Sequence, residues 1–79
     1  MFEDVIKELQ EAIRAEYGIK EFDPAKPVKD QVPQGMDKVD VIMFQMLVEN
    51  AFGADLENVT LTGNETMEDI RKILMSQPA

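Results

Sequence analysis

The chain has 79 residues, 44% of them hydrophobic and 30% charged, which suffices for one small core and is too apolar for a disordered tail. Its 8 Lys and Arg face 16 Asp and Glu, a net charge of −8 that repels nucleic-acid phosphates and suits solubility or a basic partner surface. With no Cys and no His, a disulfide framework, a zinc finger, a His metal site and a Cys or His nucleophile–base pair are all excluded.

The first segment, from about Glu3 to Tyr17, carries Val5, Ile6, Leu9, Ile13 and Tyr17 at three- and four-residue steps with Glu and Lys between them. That spacing predicts an amphipathic helix, and Gly18 follows as its C-terminal cap. Residues 19–36 change character. Asp23-Pro24, Lys26-Pro27 and Val32-Pro33 break a helix, and Gly35 follows. The reading here is one long loop, pinned over the core by Ile19, Phe22, Val28 and Val32.

A second helix is predicted from about Asp37 to Phe52, with Asp37 as N-cap, Asp40 adding charge to the first turn and Gly53 as the stop. Val41, Phe44, Val48, Ala51 and Phe52 share one face, and Lys38, Gln45 and Glu49 form a polar wedge beside it. A further apolar set, Val39, Ile42, Met43 and Met46, occupies what should be the solvent side. A helix apolar almost all round is either buried on both sides or meets a partner, and a chain this short cannot cover both, so the set reads either as a binding face or as a greasy surface whose two Met residues fill gaps in the core. A short third helix is expected near Asp55 to Leu61, with Leu56, Val59 and Leu61 inward. Thr66 then caps a last helix whose stripe is Met67, Ile70, Ile73 and Leu74, fraying at Ser76-Gln77-Pro78-Ala79. The expected core includes Val5, Leu9, Ile13, Phe22, Phe44, Val48, Phe52, Val59, Ile70 and Ile73.

No apolar run is long enough to span a membrane, and Met1-Phe2-Glu3-Asp4 lacks the basic start of a secretory leader, so a single cytoplasmic domain over residues 1–79 is expected. The sequons Asn58-Val59-Thr60 and Asn64-Glu65-Thr66 then read as chance and capping chemistry. The acidic residues are too dispersed for a calcium loop. No metal is expected, nor an enzyme.

Gly35-Met36-Asp37-Lys38-Val39-Asp40 resembles the Gly-x-Asp-Ser-Leu-Asp motif of the acyl carrier protein family, and Val48-Glu49-Asn50-Ala51-Phe52 resembles the end of that family's second helix. Thr66 stands where the family often starts its last helix. The resemblance runs from about Val5 to Leu74. It implies an all-α four-helix up-down bundle with a long first loop and a short third helix, and a role in fatty-acid, polyketide or related acyl metabolism. It also implies docking on basic partner enzymes through the second helix, where Asp37, Asp40 and Glu49 keep part of the acidic pattern; the apolar Val39, Ile42, Met43 and Met46, which make this face more apolar than the family's, complete the expected partner-binding set.

One position departs from the family. Its phosphopantetheine arm is attached to the Ser of the motif, and this chain has Lys38 there, flanked by Asp37 and Val39. An ammonium group with a pKa near ~10.4 is no substitute for the hydroxyl nucleophile. No cofactor is therefore expected. Lys38 is open to several readings: a tolerated surface residue in a divergent carrier-fold protein, a designed replacement of the Ser, an amine with chemistry of its own, or a likeness that is only architectural. The other functional class that fits is a helical interaction or regulatory module, pairing with a second copy or a partner helix through the apolar face of the second helix.

Overall fold

The apolar stripe of the N-terminal segment forms α1 (Phe2–Tyr17), with Glu3 and Asp4 in its first turn and Arg14 in its last, the order that a helix dipole favours. Gly18 leaves the helix at φ +66°, and the Ile19 amide reaches back to the Arg14 carbonyl at 3.0 Å, closing a Schellman turn. In this computed structural model, which describes residues 2–77, the other helices are α2 (Val28–Gln31), α3 (Lys38–Phe52) and α4 (Met67–Met75). The chain is all-helical, without a strand among the described residues.

Both later long helices begin with a capping box. In α3 the Asp40 amide donates to the Asp37 carboxylate at 2.9 Å, and the Asp37 amide to the Asp40 carboxylate at 3.2 Å. In α4 Thr66 and Asp69 repeat the exchange at 3.1 Å each way. Two of the orphan donors of each helix are thereby satisfied. Gly53 ends α3 at φ +89°, its amide on the Glu49 carbonyl.

The core gathers Leu9 and Ile13 of α1, Phe44 and Val48 of α3, and Met67, Ile70 and Leu74 of α4. The loops add Ile19, Val28, Met36, Leu56 and Leu61. Phe22, Phe52, Val59 and Ile73 pack against this cluster half-buried. Val5 is also only half-buried, while Phe2 and Ile6 of α1 pack on the core. Arg71 of α4 grips the Glu3 carboxylate, with one guanidinium nitrogen donating at 2.7 Å, and lies 5.8 Å from the centre of the Phe2 ring. This pair closes α4 onto the start of α1.

The short helix lies elsewhere than the sequence suggests. No helix forms over 55–61, and a single turn, α2, stands inside the 19–36 loop. Two local causes are visible. Pro27 enters α2 at φ −55°, and the Gln31 amide group folds back onto the Asp23 and Lys26 carbonyls at 2.7 and 3.0 Å. The Gln31 carbonyl oxygen accepts from the Asp23 amide at 2.6 Å, and Val28 is fully buried. Over 55–61, Asn58 sits at φ +61° and α3 side chains take the backbone hydrogen bonds that a helix would have used. Leu56 donates to the Glu49 carboxylate at 2.9 Å and Leu61 to the Gln45 carbonyl at 2.8 Å. The Gln45 amide in turn donates to the Val59 carbonyl at 3.1 Å.

Two loops are also joined. The Val28 and Lys29 amides, at the start of α2, donate to the Glu65 and Gly63 carbonyls at 3.0 and 2.8 Å. The Glu65 carboxylate holds the turn, accepting from the Thr62 and Gly63 amides. Gly63 is buried at φ +94°, and a Cβ there would lie 3.3 Å from the Lys29 side chain and the Met36 sulfur.

Candidate docking surface

Helix α3 divides its apolar residues between two sides. Phe44 and Val48 are fully buried, and Val41, Leu47, Ala51 and Phe52 pack on the core. Away from it, Val39 is 62% exposed, Ile42 61%, Met43 48% and Met46 56%. Steps of three and four residues put these four on one stripe of the helix. Large apolar side chains left in water in a contiguous row are the usual mark of a contact surface. The structure therefore brings together Val39, Ile42, Met43 and Met46 as the sequence grouped them, at the end of α3 that Asp37 and Asp40 cap. Lys38 is the first residue of α3 and is exposed.

Glu49 is placed differently. It is half-buried, and its carboxylate is spent on the Leu56 amide, with Gln45 beside it at 3.5 Å. The wedge of Gln45 and Glu49 thus faces the chain's own 55–61 segment.

The end of α1 borders the stripe, which sequence reasoning missed. Tyr17 lies edge-on to Phe44, with ring centres 6.4 Å apart, and its hydroxyl donates to the Asp40 backbone carbonyl at 3.3 Å. Between α1 and α3 runs a groove of about 220 Å³ lined by Glu16, Tyr17, Met43, Met46, Leu47 and Asn50. It adjoins a cleft of about 530 Å³ that shares Glu16 and Tyr17 and adds Asp37, Asp40 and the 32–35 turn. Among the described residues, no cluster of carboxylates is arranged to hold a metal ion. On the other flank of α3 an open cleft of about 460 Å³ lies between Lys29, Met36, Lys38, Val41, Ile42 and Leu61. The only signal for Tyr17 in the sequence was a polar-tipped residue ending an apolar stripe.

Burial first, and then the negative charges of Asp40 and Glu16, push the Tyr17 phenol above its usual ~10. The folded protein therefore holds this proton more tightly than the unfolded chain. The resulting stabilisation is complete below pH ~10 and is lost as pH rises through the higher folded-state value. The chain has one Tyr and no Trp, so phenolate absorbance reports this group alone. Its titration midpoint in the folded protein is expected above that in denaturant, and Tyr17→Phe should remove its share of the alkaline destabilisation. Coincident midpoints would contradict the placement of Tyr17.

Compared with family models, curated proteins and solved structures, the chain finds no match. None of the described helices is long and apolar enough to cross a membrane.

Proposed function

We propose that the chain is an acyl-carrier-type docking protein, without catalytic activity and without a phosphopantetheine arm, that meets cytoplasmic enzymes of acyl metabolism through α3. The observation that carries this reading is the setting of Lys38. The Asp37–Asp40 capping box fixes it as the exposed first residue of α3, directly before the apolar stripe. In the motif it resembles, that place belongs to the attachment Ser. Partner selection in this reading rests more on apolar contact than on charge. Burial of an apolar side chain is worth roughly 1.5–3 kcal/mol, and an exposed ion pair about 0–1 kcal/mol.

The test is intact mass after incubation with coenzyme A and a broad-specificity phosphopantetheinyl transferase. The chain as it stands is expected to keep its mass and Lys38→Ser to gain one arm. Residue 38 is exposed at a helix start, so the Ser variant should fold unchanged. A Ser variant that folds and stays unmodified would count against the carrier reading, and a native chain that gains mass would overturn the loss of the arm. The exposed stripe also favours a second reading, an interaction module that pairs with its own copy. Light scattering decides it, since a dimer lost on Met46→Glu would support self-pairing. Two chains of net charge −8 repel, which weighs against it.

A further inference from the structure

We propose that the cleft between α2 and the start of α3 seats an acidic segment of a partner protein, with one apolar side chain against Met36, Val41 and Leu61 and carboxylates on Lys29 and Lys38. The proposal stands apart from the carrier reading and runs against the basic partners that the resemblance implies. Basic residues are scarce in this chain, 8 against 16 acidic. Two of them, Lys29 and Lys38, line one open cleft of about 460 Å³, and both are exposed. Arg14 and Arg71 are spent on Glu11 and Glu3, but among the described residues neither of these two lysines has an ion pair. Asp37 also lines the cleft, with its carboxylate accepting from the Asp40 amide inside the capping box. The rest of the lining is largely apolar: Met36 and Leu61 are buried, Val41 is half-buried and Ile42 is 61% exposed.

Both walls are held by hydrogen bonds. The Lys29 amide donates to the Gly63 carbonyl at 2.8 Å, and the Lys29 side chain and the Met36 sulfur stand so close to Gly63 that a Cβ there would meet each at 3.3 Å. The capping box sets Lys38 as the first residue of α3. The cleft is thus built before a ligand arrives, which lowers the ordering cost of binding. A small inorganic anion would leave the apolar lining uncovered, and an apolar side chain alone would leave two ammonium groups unpaired beside it. An acidic segment with one large apolar residue satisfies both. The net charge of −8 opposes an anion at a distance, but screening limits that field to about 8 Å at physiological salt, and at contact the lysines of the cleft decide.

The probe is a synthetic peptide of about eight residues with a central leucine flanked by glutamates. A second peptide has lysines in place of the glutamates, and a third has serine in place of the leucine. Each is titrated into isotope-labelled protein and followed by amide shifts. The glutamate–leucine peptide is expected to shift Lys29, Met36, Val41 and Thr62 and to bind roughly tenfold more tightly than either control. Lys29→Gln combined with Lys38→Gln should weaken it by about the same factor, and each single variant by less. Both lysines are exposed, so the variants can be checked for unchanged helicity before titration. Absence of shifts at about 1 mM peptide, where even weak complexes register, would overturn the proposal. So would equal binding of the glutamate and lysine peptides, undiminished binding by the double variant, or shifts confined to the side of Tyr17 and Met46. Acetate alone, or a single-stranded oligonucleotide, binding the cleft as tightly as the peptide would overturn it too. The mass test on Lys38→Ser reads attachment and not binding, so either reading can fail without the other.

Discussion

Phe44→Ala is expected to cost about 3–5 kcal/mol and to leave the chain only marginally folded at room temperature. Phe44 is fully buried on the inner side of α3 and also supports the Tyr17 ring edge-on. Its loss removes the apolar transfer gain, opens a cavity in a core that has little else to collapse into it, and frees Tyr17 from its aromatic neighbour. A domain of this size lies at the low end of the usual ~5–15 kcal/mol, so one such cavity takes most of its stability. Circular dichroism against denaturant reads the change. Val39→Ala, on the exposed stripe, is the matched control and should shift stability by no more than about 0.5 kcal/mol. Similar midpoints for the two variants would mean that the inner and outer sides of α3 are assigned wrongly.

Gln45→Ala should be the next most damaging, at about 2 kcal/mol, although the residue removed is polar and makes no apolar core. The Gln45 side chain satisfies the Leu61 amide and the Val59 carbonyl of a segment that has no regular structure to satisfy them itself. Cutting both leaves two partly buried backbone groups without partners and loosens the hold on Leu61, which is almost wholly buried. Gln45→Glu separates the two bonds. It keeps the acceptor for the Leu61 amide but sets a carboxylate oxygen against the Val59 carbonyl and the Glu49 carboxylate, so it too should destabilise at neutral pH. Hydrogen exchange at the Leu61 amide checks the same point and should be faster in the alanine variant. An unchanged Leu61 exchange rate in Gln45→Ala would remove this role.

Three long helices were legible because periodicity and caps agree on them. Gly18, Gly53, Asp37 and Thr66 mark their ends in the sequence and do so in the structure. The short helix was not legible. One turn offers no period, and α2 depends on Pro27, a buried Val28 and the fold-back of Gln31, none of which announces a helix. The 55–61 segment has inward Leu56 and Leu61, as its pattern says, but its path follows side chains of α3 that are far away in sequence. The same limit applies to the candidate surface. The stripe of Val39, Ile42, Met43 and Met46 lies within one helix, so its spacing exposes it. The contribution of Glu16 and Tyr17 arises only when α1 packs beside α3. Gln45 and Glu49 look like a solvated wedge until the loop that they hold is in place.

The bonds from Val28 and Lys29 to the Glu65 and Gly63 carbonyls tie the two irregular spans of the chain to each other. Each span is folded on itself, the first through Gln31 and the second through Glu65, and opening either one breaks the two bonds that it shares with the other. They form one cooperative unit, so local unfolding should release residues 19–36 and 54–65 at a single free energy, distinct from the fraying of helix ends. The clasp joins the span before α3 to the span after it, and so closes the chain around the helix that carries the outward stripe.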